Sequence, residues 1–200
     1  MAENQTTQVV TNTGSSFSIN NFRSQLVGDG ARPNLFEVSM SFPSFVQSNG
    51  NTNASTAATK LTFMCKAAQM PSSTMGVVVA HYFGRESKHA GNRTFAEWTV
   101  TIINDEDFAV RGALENWSNA LNSHKANLRD SEALKPSSYC VDASIVHYGK
   151  TGNKLRTYNM IGAFPSDISA IDLDWGTMDT IEEYTCTFAY QWWEVAGITS

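Results

Sequence analysis

The sequence lacks a long apolar run and a cluster of basic residues. No segment approaches the roughly 18 apolar residues that a membrane-spanning helix needs, and the N-terminus shows neither the basic nor the apolar region of a secretory signal. The 14 Lys and Arg residues are scattered, and 19 acidic residues give a formal charge of -5 and a pI near 5.3. We therefore expect a soluble protein with no membrane segment and no phosphate-based binding of nucleic acid.

Cysteines and catalytic motifs are equally scarce. Cys65, Cys140 and Cys186 are far apart and show no CxxC spacing, which favours reduced core thiols over a metal or disulfide site. The histidines show no HxxH spacing, and neither a GxSxG motif nor a P-loop is present. Asp172 and Asp174 could face one side of a strand, but two carboxylates without further oxygen ligands favour a solvated surface over Ca²⁺ binding. The sequence predicts no enzyme, no metal site and no cofactor.

What the sequence does contain is alternation. From Glu97 to Ile103 polar and apolar residues alternate, which predicts a strand with one buried face. Asn104 or Asp105 would then cap a helix over Asp105–His124 whose apolar side chains fall near one face. Gly91 and Asn92 would form a turn before this strand.

Further alternating segments predict a mainly β fold. We predict an antiparallel β-sandwich or barrel with one flanking α-helix over residues 31–200, preceded by a flexible arm over residues 1–30 that includes a short helical turn near Asn20–Val27. The other predicted strands are Asn34–Phe42, Leu61–Ala68 (as a hairpin with the first), Met75–Phe83, Tyr139–Tyr148, Lys154–Phe164 (joined to the preceding one by a turn at Gly149–Asn153), Ser169–Trp175 and, as the last and longest, Thr180–Trp193. The predicted loops are Gln47–Thr59 and the charged segment Gly84–Asn92, with a break at Pro165–Asp167.

The five tryptophans favour core packing over sugar or base stacking, because they fall in alternating strands and on the helix face. Trp192 and Trp193 are adjacent, so one must point out of the core, and we take Trp193 as an interface candidate. These patterns indicate an interaction protein. A β-barrel ligand-binding or enzymatic module is the alternative from another class, but it would need a convergent polar pocket that no constellation here supplies.

Several segments resemble the tail tube protein of contractile-tailed bacteriophages. They occur in the order of that family: Ala31–Phe36, Cys65-Lys66 with Met70-Pro71, Ala90–Phe95, Trp98–Ile102 with Asn104–Glu106, Gly162–Pro165 with Leu173–Trp175, and Tyr190–Glu194. The resemblance implies a virion structural protein whose homohexameric rings stack into a hollow tube inside a contractile sheath. It also implies a tube that surrounds the tape measure protein, meets baseplate and tail terminator proteins, assembles in the host cytoplasm, and conducts DNA into the host without specific binding.

The resemblance turns two sets of residues into candidates. We expect the polar strand faces with Ser39, Ser41, Thr99 and Thr101 to line the lumen, since they offer DNA few phosphate anchors. Ring stacking could use the Gly84–Asn92 and Gln47–Thr59 loops, the N-terminal arm and Trp193–Ser200. The charged candidates for these contacts are Arg85, Glu86, Lys88 and Arg93, although a solvated surface loop explains each of them equally well. A tube protein of a type VI secretion or phage-tail-like bacteriocin machine remains an alternative.

Overall fold

The computed structural model describes residues 19–48 and 54–197. Nine strands and four helices follow one another in these residues, joined by short 3-10 turns. In chain order they are α1 (Ile19–Gln25), β1 (Phe36–Met40), α2 (Ala54–Met64), β2 (Cys65–Ala68), β3 (Ser73–Tyr82), β4 (Arg85–Phe95), β5 (Trp98–Ile103), α3 (Ala109–Leu121), α4 (Pro136–Tyr139), β6 (Val141–Tyr148), β7 (Lys154–Ile168), β8 (Glu183–Ala189) and β9 (Trp192–Val195).

The body of the protein is an antiparallel sheet folded into two layers. Its strand order is β1-β6-β7-β8-β5-β2, and β9 also pairs with β7. The first part of β7 pairs with β6 and β9, whereas its last residues pair with β8. Gly162, with φ of 69°, lies in β7 two residues before the pairing with β8 begins, and a side chain is strained in that backbone conformation. β7 therefore belongs to both layers and joins them.

Both layers contribute side chains to one core. Val38, Met40 and Ile145 point inward from the first layer, and Trp98 and Phe188 from the second, all less than a tenth exposed. The inward residues alternate with outward polar ones along β5 and β8, which is the pattern that buries one face of a strand. The mainly β prediction is confirmed.

Two helices complete the core. From α3 the side chains of Val110, Ala113, Leu114 and Trp117 are buried. From α2 the small residues Ala54 and Ala57 are buried together with Leu61. α2 is fixed to the segment before α3 by Lys60, whose ammonium group contacts the carboxylates of Asp105 (2.6 Å) and Asp107.

Several predicted elements are found close to their expected positions. Strand β1 lies within Asn34–Phe42, β3 covers most of Met75–Phe83, and β6 and β7 form the expected hairpin around the turn at residues 149–153. The weakly signalled helical turn in the N-terminal segment is present as α1. The rest of the N-terminal arm, residues 1–18, lies outside the described residues, as do residues 49–53 and 198–200.

The predictions around α2 were wrong in two respects. Residues 54–59 of the predicted Gln47–Thr59 loop are helical, and the helix continues to Met64, so that only Cys65–Ala68 of the predicted strand Leu61–Ala68 is extended. That strand pairs with β5 rather than with β1. The helix is stabilised by burial of the face with Ala54, Ala57 and Leu61. Its exposed Thr and Ser residues are typical of a loop, so the sequence pattern did not predict a helix.

The remaining corrections concern the second half of the chain and have a common cause. An alternating pattern or a Pro does not by itself show which neighbouring strand a segment pairs with. β7 continues through Pro165–Asp167 with a register shift where a break was predicted. The predicted strand Ser169–Trp175 is an irregular segment, and the predicted strand Thr180–Trp193 is two strands, β8 and β9, separated at Tyr190 and Gln191. The longest strand is β7, not this last one.

The predicted helix begins later than expected. Phe108, with φ of 51°, precedes the first helical residue, Ala109, and the Asp107 carboxylate accepts a hydrogen bond from the Ala109 N–H at 3.0 Å. The N-cap position is therefore Phe108, which makes no side-chain cap hydrogen bond, and the first helical N–H is bound by Asp107 and not by Asn104 or Asp105. Asn104 instead donates to the Glu182 carboxylate at 2.9 Å.

Candidate assembly surfaces

Strands β3 and β4 form a separate two-stranded sheet that leaves the body, and we call residues 73–95 the hairpin arm. Gly91 and Asn92 lie inside β4, and the predicted charged loop Gly84–Asn92 is extended from Arg85 onward, so both loop predictions were wrong. The ten residues of β3 would span about 33 Å at about 3.3 Å each. The arm is therefore long compared with the four to eight residues of most other strands here.

Among residues 19–48 and 54–197, the contacts that hold the arm to the body lie near its base. The Ala96 N–H donates to the Ser72 carbonyl and closes the two ends of the arm. The Trp193 Nε1 of β9 donates to the same carbonyl at 3.3 Å, and the ring of Phe95 packs near Tyr190. Further out, Val77 and Val78 are more than half exposed. Apolar strand residues with neither face covered are unusual in a free subunit.

The tip of the arm is a two-residue turn, since Tyr82 pairs with Arg85. Phe83 and Gly84 both have positive φ, 47° and 79°, as a two-residue hairpin turn with the twist of the strands requires. The rings of Tyr82 and Phe83 contact each other edge-on at 4.5 Å, and Phe83 is 91% exposed. The tip is an aromatic knob on a rigid turn.

The charged stacking candidates all lie on the arm. Arg85, Glu86, Lys88 and Arg93 are exposed residues of β4. The salt bridges of the described residues involve Lys60, Lys66 and Arg111, so the three cations of the arm are paired with no carboxylate in that part of the chain. Their role in ring stacking stays a prediction.

The four lumen candidates lie in two separate places. Thr99 and Thr101 are half-buried on the outer face of β5, opposite Thr187 and Thr185 of β8, and the Thr99 and Thr187 hydroxyl oxygens are 3.2 Å apart. Ser39 lies on the outer face of β1, with its hydroxyl 2.8 Å from that of Ser144.

These two faces belong to different layers around one core. Ser41, just beyond the end of β1, is exposed as well. All four candidates point away from the core, as expected, but they do not form one continuous surface. Whether either face lines a lumen stays a prediction.

The adjacent tryptophans of β9 differ in exposure. Trp192 is 46% exposed, whereas Trp193 is half-buried, with its ring 5.6 Å from that of Tyr158. One Trp therefore does point outward, and it is Trp192. Trp193 remains an interface candidate only through its exposed edge near the base of the arm.

The sequence did not predict a second apolar surface, which lies on the irregular segment 169–182. We call this segment the acidic loop, because it also carries four acidic residues. Its exposed apolar side chains are Leu173, Trp175, Met178 and Ile181. Trp175, predicted to lie in the core, is fully exposed. The alternation that suggested a strand is real in the sequence, but its apolar side faces solvent in the subunit.

The protonation shifts in the body reflect burial and local pairing. Desolvation raises the pKa of the Cys65 thiol to about 12 and raises that of Tyr184, whose ring also lies 5.0 Å from the Arg111 guanidinium. Hydrogen bonding to Lys60 lowers the pKa of Asp107 to about 2. Among residues 19–48 and 54–197 no three His, Cys, Asp or Glu side chains are grouped to hold a metal ion. None of the helices described is long and apolar enough to cross a membrane.

Comparison with known proteins agrees with this arrangement. A family described as phage tail tube protein matches residues 31–196. The tail tube protein of Enterobacteria phage T6 is 27% identical over 168 residues, which cover 84% of this chain and 93% of the relative. The tail tube protein of Serratia phage KSP90 is 25% identical over 175 residues, with coverages of 86% and 94%.

A solved structure shares the fold. One chain of the sheath-tube complex of an extracellular contractile injection system, PVC, in its extended state has a TM-score of 0.54 at 16% identity, and the match covers 88% of this chain and 97% of that one. The sequence resemblance is thereby confirmed by relatives that match along most of their length. The chain belongs to the phage tail tube protein family and is a structural component of the phage tail.

Proposed function

We propose that six copies of this chain form a ring and that the rings stack into the hollow inner tube of a contractile tail. The tube would enclose the tape measure protein during assembly in the host cytoplasm and later conduct DNA into the host. Sheath subunits would cover its outer surface, and baseplate and terminator proteins would bind its two ends. The role is structural and needs no catalytic group.

The observation that carries this proposal is the uncovered hairpin arm. A free subunit exposes the valines of β3 and the aromatic tip to water, and apolar area buried at an interface contributes about 25 cal/mol per Å². Strand edges that remain open in one copy also become paired or covered in a closed ring. We therefore infer that neighbouring copies cover the exposed apolar side chains of the arm in the assembled tube.

The polar outer faces suit a conduit. Thr99, Thr101, Thr185 and Thr187 form a neutral patch across β5 and β8, bordered by the Lys66–Glu183 salt bridge at 2.5 Å. Uncharged hydroxyl groups give a passing phosphate backbone no fixed cation, so DNA would slide without being held. We propose that this threonine face supplies the lumen wall. Of the two faces expected to line the lumen, the one with Ser39 and Ser41 would then lie on the outside of the tube, since Glu37 shares that face of β1.

Electron microscopy of the purified full-length chain tests the proposal. We expect hexameric rings at low concentration and hollow tubes at high concentration. A chain that stays monomeric at every concentration and binds a small ligand would overturn the proposal in favour of a ligand-binding barrel. Because the fold is shared with an extracellular injection system, fold alone does not separate phage tails from related machines, and the family match favours the phage tail.

A further inference from the structure

Two exposed surfaces of the subunit have opposite charge and similar apolar content. The hairpin arm carries Arg85, Lys88 and Arg93 against the single acid Glu86. The acidic loop carries four acids and no Lys or Arg between residues 169 and 182. Charged patches of opposite sign select partners and orient them on approach.

The acidic loop is shaped to receive a side chain. It borders a concavity of about 500 Å³ whose lining includes the apolar residues Ile171, Leu173 and Ile181 and the carboxylates of Asp172 and Asp174. Asp174 accepts hydrogen bonds from the Gly176 N–H and the Thr177 hydroxyl, which holds the turn of the loop in place. Asp172 and Asp174 take part in no salt bridge among the described residues.

We propose that the hairpin arm of one copy docks on the acidic loop of another copy. In this contact the Tyr82–Phe83 knob occupies the concavity beside Leu173 and Ile181, and Arg85 and Lys88 approach Asp172 and Asp174. The inference rests on the proposed ring-and-tube assembly and names the two surfaces that join its copies.

A second copy is the occupant that fits both surfaces. The part of the subunit that the structure describes does not cover the arm, since its valines and its tip remain exposed. A strand about 33 Å long carries the tip well beyond its base, away from the described residues of its own core and within reach of another copy. The same chain supplies the complementary acidic and apolar surface, so one gene product satisfies both halves of the contact.

Charge reversal tests the contact. In the arm variant Arg85→Glu and Lys88→Glu are combined, and in the loop variant Asp172→Lys and Asp174→Lys are combined. Each variant places like charges together, and we expect the concentration needed for tube formation, measured by sedimentation and microscopy, to rise at least about tenfold. A 1:1 mixture of the two variants restores opposite charges between copies, and we expect tubes to return near the wild-type concentration.

Controls separate the possible failures. Glu106→Lys with Glu132→Lys gives the same change in net charge as the loop variant at exposed acids elsewhere, and it should assemble as wild type does. Circular dichroism should show all variants folded, and the variant Leu173→Ser with Trp175→Ser should weaken assembly without any charge change.

If wild-type tubes form and either the charge reversals have no effect or the mixture does not restore assembly, the proposed contact is wrong although the tube is correct. If the control pair blocks assembly equally, the specific contact is also overturned. If the wild-type chain forms neither rings nor tubes, the proposed function itself fails.

Discussion

At the scale of single residues, the Lys60 ammonium joins two parts of the core that are distant in sequence. It contacts Asp105 and Asp107 from helix α2, and Asp107 in turn accepts the Ala109 N–H at the start of α3. One carboxylate therefore serves both as a salt-bridge partner and as the acceptor of the first helical N–H, at the end of the helix where negative charge is favourable. The pairing also raises the pKa of Lys60, chiefly through the hydrogen bond to Asp105.

This arrangement predicts a specific pH dependence. The pKa of Asp107 is lowered from 3.8 to about 2, so its stabilising contribution is complete above pH 4 and disappears as the pH falls from about 4 to about 2. We expect Asp107→Asn to lower the melting temperature at pH 6 and to differ little from wild type near pH 2. Calorimetry of both proteins across this range measures the effect. A melting difference that stays constant from pH 6 to pH 2 would contradict the assignment.

Trp117 and Trp175 provide a matched pair of substitutions. Trp117 is fully buried, its Nε1 donates to the Tyr139 carbonyl at 3.0 Å, and its ring contacts Phe42 edge-on at 5.9 Å. We expect Trp117→Ala to reduce the free energy of unfolding by about 3–5 kcal/mol. Trp175→Ala removes a side chain that is fully exposed to solvent, and it should change the free energy of unfolding by less than about 0.5 kcal/mol. Urea unfolding of the two variants under conditions that keep the chain monomeric compares them, and equal losses would be inconsistent with the structure.

At the scale of elements, the hairpin arm should be separable from the fold of the body. Because Val79 pairs with Lys88, residues 80–87 can be replaced by an Asn-Gly turn without disturbing the remaining register. We expect this shortened arm to leave the free energy of unfolding of the monomer within about 0.5 kcal/mol of wild type, since the removed residues do not pack against the core. Tube formation should be lost.

Sedimentation and microscopy measure the assembly of the shortened variant. The companion variant Phe83→Asn keeps the full length of the arm and removes one ring of its tip. It should assemble less readily than wild type but better than the shortened variant, which separates the contribution of arm length from that of the aromatic tip. Normal tubes from the shortened variant would show that the arm has no role in assembly.

Which elements could be predicted from sequence depends on whether one face is buried in the subunit. Trp98, Val100 and Ile102 face the core, so the alternating sequence of β5 correctly predicted a strand. The helix that follows it was also predicted correctly. β4 has both faces exposed, and its polar sequence therefore carries no periodic signal; it is extended because β3 is its partner. Helix α2 lacks strong formers on its surface and is decided by tertiary packing.

The candidate surfaces, like the elements, could be predicted only in part, because their side chains are not buried within the subunit. Arg85, Glu86 and Lys88 could be chosen as exposed charges, but their placement on an extended arm could not be read from a segment resembling a loop. Leu173 and Trp175 followed the pattern of a half-buried strand, and only the structure shows that their apolar side has no partner in the subunit. An apolar pattern in the sequence does not say whether the surface that covers it belongs to the same copy.

At the scale of the whole molecule, the two polar faces can be assigned by chemical labelling of assembled tubes. We expect Thr101→Cys in tubes to react with a small maleimide and to be inaccessible to maleimide-coated gold beads wider than the tube. The threonine patch is favoured for the lumen because it is neutral, whereas Glu37 shares the outer face of β1 with Ser39.

Ser39→Cys is the matched comparison, and it should bind the beads. Wild-type tubes give the background from Cys65 and Cys140, which are half-buried. Binding of beads at Thr101→Cys together with protection of Ser39→Cys would place the lumen on the other layer.

The separation of the hairpin arm from the acidic loop has a consequence for the finished particle. A contact between two different surfaces of the same chain is head-to-tail, and repeated along an axis it does not close. Such a stack has direction: one end presents unoccupied basic, aromatic arms and the other presents unoccupied acidic, apolar loops. In the proposed stack this contact sets no limit on the number of rings, so a protein other than the tube subunit would have to set the tail length. Proteins that begin and end the stack must offer opposite chemistry to its two ends.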